Sequence, residues 1–478
     1  MDPLTWTGAL AFLNPIYQIT LVLLVAALAI WIITSVISAG TRQVANADGS
    51  FTLAGNPQAM ANLSVKLTFL VVAILSLAYL LLGLILGTSA GIVGAMSRQM
   101  LPTWTALVVL FALSITFKRR LGLYGKLFDS PIGMIGFGLV MFWVFTGIFG
   151  AMDLIATHDP LGQASGMKNK VPGTPLRGAE EGEYAWYLLG GDNLARDVFS
   201  RMVKGAWEVL KYAPLATLFA FMVGITLGLP AGYYGGRLDT LLSFLANLIL
   251  AFPVILLFYL LVTPEIVATG LPQFMAVVLF AFPMVFCGVL IHSRFRTQPG
   301  KDYMWLAIVL VPIFLLYMSL INENGSKIDF WPIDFFDIPG GVLVVFVSVV
   351  FVNSPTVFRI VRGLAMDIKT RDYVAAAQTR GERAWYIMLW EILPNVRGPL
   401  IVDFCLRIGY TTILLGTLGF FGLGLPPESP DWGSTINDGR KLLSIYLHPA
   451  LPPAVALMSL VLGLNLLADG LREESLKD

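Results

Sequence analysis

Few residues in this chain have the type and spacing to do covalent chemistry. His158, His292 and His448 stand far from one another and from the two cysteines, Cys287 and Cys405, so no set of metal ligands forms along the sequence. Both cysteines fall in apolar stretches and read as small buried hydrophobes, not as a disulfide. No GxxxxGK[ST] phosphate loop occurs, and Asn324-Gly325-Ser326-Lys327 is only a turn. Nucleophile-elbow and zinc-hydrolase patterns are missing as well, so the sequence offers no enzyme and calls for no cofactor.

Two other groups of residues remain. Asp403 and Arg407 stand four apart near the start of an apolar stretch, where ionisable groups are costly and turn toward protein or water. They are candidates for a pathway or gating pair, although a structural ion pair at a subunit interface is the commoner use. Asn353, in the preceding stretch, is expected to hydrogen-bond across helices. The second group is a polar segment, 364–397, that reads as two short helices with a break. Thr370 or Asp372 is the expected N-cap of the first helix, which runs through Tyr373-Val374-Ala375-Ala376-Ala377-Gln378 and ends at a left-handed Gly381. Trp385, Met388, Leu389 and Ile392 then repeat at i, i+3, i+4 and i+7, one stripe of an amphipathic helix that Pro394 is expected to stop. Such a pair lies at a membrane surface with one side open to a partner; an ordinary surface helix would show the same pattern.

The elements that position these residues are membrane spans. The chain has 478 residues, of which 57% are hydrophobic and 13% charged, and its mean hydropathy of +0.78 is foreign to soluble domains. Apolar runs, each near the length a helix needs to cross the hydrocarbon core, fall at 18–40, 67–87, 101–117, 131–152, 209–233, 238–262, 271–291, 303–321, 341–360, 399–423 and 449–471, eleven in all. The first has neither the basic flank nor the cleavage site of a signal peptide and is read as a retained span. Pro214 and Pro230 in the fifth run and Pro253 in the sixth are expected to kink their helices.

Basic residues gather in Lys118-Arg119-Arg120 with Lys126, in Arg294, Arg296 and Lys301, and along 359–397. Eleven spans put all three on one face, which the positive-inside rule makes cytoplasmic, with the N-terminus outside and 471–478 inside. The segment 153–207, rich in Gly and Pro and carrying Glu180, Glu181 and Glu183, is then an external loop. A net charge of +1 gives no sign of a nucleic-acid partner.

Ala375-Ala376-Ala377, three residues, Gly381 and then Leu393-Pro394 resemble the "EAA" loop by which permeases of ATP-binding-cassette (ABC) importers dock on their ATPases. Ala375 stands where that pattern has Glu, and Glu391 where it often has Ile. Gly191-Asp192-Asn193-Leu194-Ala195-Arg196-Asp197-Val198-Phe199-Ser200-Arg201 is similar to the "GTDxxGRDxxSR" segment of C-type peptide permeases, with Gly191 for Thr and Ala195 for Gly. Ala231-Gly232-Tyr233-Tyr234-Gly235-Gly236, Leu250-Ala251-Phe252-Pro253 and Arg359-Ile360-Val361-Arg362-Gly363 follow in that family's order. Leu418-Gly419-Phe420-Phe421-Gly422-Leu423-Gly424, Pro430-Asp431-Trp432-Gly433 and Asn465-Leu466-Leu467-Ala468-Asp469-Gly470-Leu471-Arg472 complete the series.

The chain thus resembles the C-type permease of dipeptide/oligopeptide ABC transporters. The resemblance implies an all-α, polytopic protein of the cytoplasmic (inner) membrane, built on a six-helix permease core. It also implies a B-type permease, two ATPase subunits and an extracytoplasmic solute-binding protein as partners, with peptide as cargo. Tyr373, Ala375, Ala376, Ala377, Gly381, Leu393 and Pro394 would form the ATPase-coupling loop, and Asn353, Asp403 and Arg407 would serve an interface or the pathway. Similar permeases carry nickel chelates, oligosaccharides or peptide antibiotics. An ion-coupled secondary transporter is the rival class, but the inverted repeats and midplane charges it should show are not evident.

The expected organisation is an N-terminal extension with three extra spans (1–130), a first part of the core (131–263), an inserted pair of spans (264–340) and a second part of the core (341–478) with the coupling loop at 364–397. The core motifs are complete without the five additional spans, which are expected to surround the core as a scaffold or docking surface.

Overall fold

Backbone groups inside a bilayer must find their hydrogen-bond partners within the chain, so a sequence this apolar folds into helices. The computed structural model describes residues 2–48, 57–155, 158–176, 184–321, 340–423 and 429–475; Glu180, Glu181, Glu183, Gly424 and the Asn324 to Lys327 turn lie outside them. The principal helices are α1 (Asn14–Asp48), α2 (Pro57–Leu86), α3 (Gly91–Gln99), α4 (Leu101–Phe117), α5 (Pro131–Ala151) and α6 (Val198–Tyr234). They continue with α7 (Gly236–Leu250), α8 (Val254–Val262), α9 (Leu271–Phe295), α10 (Pro299–Ile321) and α11 (Gly340–Ile368). After these come α12 (Asp372–Thr379), α13 (Ala384–Tyr386), a π-helical turn Ile387–Ile392, α14 (Leu393–Asn395), α15 (Arg397–Phe420), α16 (Trp432–Arg440) and α17 (Leu451–Ser475).

Among the described residues nine helical segments are long and apolar enough to cross a membrane, and α7 with α8, bent by 82°, makes a tenth. With α10, a further 23 residues long, each of the eleven expected stretches holds a helix or a broken helix. The break falls at Ala251-Phe252-Pro253, where proline offers no N–H to continue the ladder. By contrast α6 runs unbroken through Pro214 and Pro230, and it begins at Val198, eleven residues before the apolar run at 209.

The chain divides into two compact units. One joins Met1–Pro102 with Gln163–Phe199. Within it α1 and α2 pack side by side and α3 folds back on α2. The polar segment is tied to the N-terminus by the Leu4 N–H bonded to the Gly173 carbonyl (2.9 Å) and by Trp186 Nε1 donating to the Asp2 carbonyl (3.2 Å). A two-residue antiparallel pair, β1 (Thr174–Pro175) with β2 (Trp186–Tyr187), stiffens it.

The second unit, Thr103–Gly162 with Ser200–Asp478, holds the helices that carry the family-like motifs after Phe199. Ser130 caps α5, accepting from the Gly133 N–H (3.3 Å), with Pro131 in the first turn. α17 packs along both α5 and α15, and α11 packs against α7, α8 and α9. A close seam joins α6 to α11: a Cβ on Gly224 would stand 2.5 Å from Val357 Cγ1, and one on Gly232 would stand 2.6 Å from the Arg362 carbonyl oxygen. Small residues bring the two backbones together, as helices in lipid require.

Candidate functional site

The polar segment after α11 is shorter than expected, because α11 continues to Ile368 before the chain turns. Neither expected cap of α12 is used: Arg371 occupies the N-cap without a side-chain bond, and the Thr370 hydroxyl instead donates to the Asp367 carbonyl (3.2 Å), serving the end of α11. α12 buries Val374 and Ala377 completely and leaves Tyr373, Ala375 and Ala376 exposed. Removal from water raises the pKa of the Tyr373 phenol, while Arg371 pulls it down.

Gly381 then takes φ = +78°, the left-handed turn anticipated from its identity, and no atom lies within 4 Å of the position a Cβ would occupy. The second helix follows. Pro394 does not stop it. The π-helical turn Ile387–Ile392 leads into α14, where Pro394 sits in the first turn and needs no N–H partner; the chain breaks instead at Val396 (φ −101°, ψ 4°). Ile387, Met388, Leu389 and Ile392 are all buried, in one cluster with Val374, Ala377, Val361, Ala365 and Val396. Trp385, the first residue of the expected stripe, is only half-buried.

Several bonds that the sequence did not announce fix this helix pair. Arg380 reaches across the turn to Glu391 (2.9 Å), so the position that departs from the family pattern carries half of an ion pair. Gln378 Nε2 donates to the Tyr233 hydroxyl (3.1 Å), and Lys369 Nζ caps the end of α6 at the Gly232 carbonyl (2.9 Å). Leu393 is half-buried and Pro394 exposed. Tyr373, Ala375, Ala376, Gly381 and Pro394 thus stay open on a pair whose other face is anchored to α6 and α11.

The remaining candidates sit elsewhere. Asp403 and Arg407 form a largely buried i,i+4 pair on α15 (3.0 Å). Asn353 Nδ2 donates to Thr411 Oγ1 (3.3 Å), and Thr411 also bonds Thr217 (3.1 Å), so three buried side chains join α11, α15 and α6. Arg362 makes a two-pronged bond to Asp239 of α7, one arm at 2.6 Å. No spacing rule connects those two residues, which are 123 positions apart.

Two family-like motifs interlock beside α6. Arg201, fully buried, donates to Thr435 Oγ1 (3.0 Å) and to the carbonyls of Pro160 and Ser429 (both 3.4 Å). Trp432 Nε1 donates to the Met202 carbonyl (2.9 Å), and Asp431 caps α16 through the Ser434 N–H (2.9 Å), with its carboxyl pKa pushed up by burial. Earlier in the first motif, Asp192 accepts from the N–H groups of Leu194 (2.8 Å) and Arg196 (2.9 Å) and pairs with the Arg196 side chain (2.6 Å). Ala195, standing where the family pattern has Gly, adopts φ = +65°.

The three histidines occupy separate environments. The buried His158 donates its backbone N–H to Ser200 Oγ (2.8 Å), His292 meets Asp302 (2.8 Å), and His448 lies beside Tyr446 with ring centroids 5.6 Å apart. Cys287 and Cys405 are free and half-buried.

These features describe a multi-span membrane protein with a short helix pair folded against α6 and α11. Residues 303–473 match the family described as binding-protein-dependent transport system inner membrane component. The chain is 31% identical over 293 residues to a glutathione transport system permease protein of Pectobacterium atrosepticum, covering 61% of this chain and 73% of that one. It is 28% identical over 326 residues to a dipeptide transport system permease protein of Alkalihalophilus pseudofirmus, covering 68% and 82%. A dipeptide transport system permease protein of Haemophilus influenzae is 27% identical over 293 residues, covering 61% and 75%. The chain belongs to the permease family of peptide ABC transporters, and it is a multi-pass membrane protein.

Proposed function

We propose that this chain imports di- or oligopeptides across the cytoplasmic membrane as one of two permeases, paired with a B-type partner and served by two ATPase subunits and an extracytoplasmic binding protein. The segment from Tyr373 to Pro394 is its docking element for an ATPase. The observation that carries this reading is the Gly381 turn, at φ = +78°, which folds two short helices so that one face is anchored in the apolar cluster and the other is open. Closure of the ATPases on ATP would move the pair as a body. Lys369, Gln378 and the Val374 to Val396 cluster would pass that motion to α6 and α11, switching the cavity between inward- and outward-facing states.

The five additional spans lie outside the route in this reading, and Asp403 with Arg407 holds an interface. The docking element faces the cytoplasm, with the N-terminus outside. A cysteine at Thr5 that reacts only with reagent added from the cytoplasmic side would mean that one N-terminal run does not span. Uptake of labelled dipeptide into cells with the ion gradient clamped tests the function itself. Uptake should stop when ATP is depleted. Persistence without ATP would point to an ion-coupled carrier, and ATP-driven uptake of a nickel chelate or oligosaccharide in place of peptide would change the cargo and keep the machinery.

A further inference from the structure

The peptide-permease motifs are interrupted at 263–340, the stretch that contains α9 and α10, and the family match at 303–473 begins inside α10, after all of α9. These helices have no part in the core motifs, yet the last turns of α9 meet the docking element directly. Trp390, inside the π-helical turn, donates its Nε1–H to Ser293 Oγ (3.0 Å), while that hydroxyl donates to the Leu290 carbonyl (2.9 Å). The Arg294 guanidinium lies over the Trp390 ring, 4.8 Å from its centroid. One turn earlier Phe286 and Val289 line a small apolar cavity together with Trp385 and Leu389. His292 holds Asp302 (2.8 Å) and so ties the end of α9 to the start of α10.

The π-helical turn explains how Trp390 reaches this position. A strictly α-helical continuation would keep the buried stripe at Trp385, Met388, Leu389 and Ile392; the wider turn buries Ile387 as well and places Trp390 against α9. Ser293 and Trp390 are 97 positions apart, and the contact comes from packing alone.

We propose that the end of α9 is a brace for the docking element, with Ser293 and Arg294 as positioning residues that hold Trp390 and so keep the second helix rigid while force passes through it. The proposal rests on the reading of Tyr373 to Pro394 as the ATPase-docking segment. A loosened brace leaves ATP hydrolysis running but transmits less of each stroke, so its signature is a fall in peptide moved per ATP and not a loss of assembly.

The experiment uses the whole complex in proteoliposomes, with Cys287 and Cys405 replaced by Ser and a benzophenone placed on a Thr379→Cys substitution. Photocrosslinking to the ATPase reports docking, and peptide moved per ATP hydrolysed reports transmission. Trp390→Phe, which keeps the ring and removes the donor, and Arg294→Ala should each lower the ratio about fivefold, the scale of one lost hydrogen bond or cation–π contact. The crosslink should persist, and Arg294→Lys should restore most of the ratio. An unchanged ratio in both variants, with the crosslink present, overturns the brace and leaves the docking reading intact. Failure of the labelled Thr379→Cys protein with Trp390 and Arg294 intact to crosslink overturns both.

Discussion

The helices of the two units differ in a way opposite to soluble proteins. The windows around α1 and α2 in the first unit, of mean hydropathy 2.7 and 2.9, are only 11% and 6% buried within the chain, and the equally apolar α9 of the second unit, at 2.7, only 22%. Those of α6 and α11, at 1.8 and 1.9, are 67% and 78% buried. In lipid, hydropathy marks the surface left to acyl chains, while the buried seams use small and polar residues that let backbones approach and hydrogen-bond. Gly224, Gly228 and Gly232 on α6 and the Thr217, Thr411 and Asn353 trio are such residues.

Substitutions can break this contrast. The largest effect is expected at the α6–α11 seam: Gly224→Val places a branched side chain where Val357 already stands, and overpacking of this kind costs about 1–3 kcal/mol or more. Thermal unfolding in detergent should show a large loss, whereas Ile85→Val, at a site 76% exposed, should leave the melt unchanged. Equal melts for the two would end the distinction between seam and lipid face. Next comes Arg362→Leu, which strands the half-sheltered Asp239 carboxylate at the α7–α11 contact. A loss of about 2 kcal/mol is expected, below the range for fully buried pairs because both groups keep some access to water. A charge-neutral double change, Arg362→Leu with Asp239→Leu, should recover much of it; no recovery would mean the pair is not what Arg362 contributes.

The smallest effect has the opposite sign. Ala195 holds a left-handed backbone that costs a residue with a Cβ on the order of 1 kcal/mol, so Ala195→Gly should stabilise the Asp192 to Arg201 segment by about that amount. Slower proteolysis of the segment would register the gain. Faster proteolysis would show that the positive φ carries no strain.

What the sequence revealed follows the range of the forces involved. Gly381 and Pro253 were legible because a left-handed turn and a missing N–H are properties of single residues. Asn353 was expected to bond across helices and does so. Pro394 was misread because proline ends a helix only when an earlier carbonyl needs its N–H; here the π-helical turn starts a new register before it. The N-terminal turns of α6 were missed because Arg201, Lys204 and Glu208 interrupt the apolar pattern without breaking the helix. Arg380 with Glu391, Asp239 with Arg362 and Trp390 with Ser293 depend on tertiary placement, which no local pattern encodes.

The most direct test of the account is ATP hydrolysis by the assembled complex carrying Gly381→Val. A β-branched residue at φ = +78° must move the turn, at a cost on the order of 1 kcal/mol or more, while nothing near the missing Cβ obstructs the helices around it. The account predicts normal amounts of permease in the membrane, weakened association with the ATPases, and loss of the hydrolysis that the binding protein stimulates. Wild-type stimulation and uptake in Gly381→Val would contradict it and would place the coupling element elsewhere in the chain.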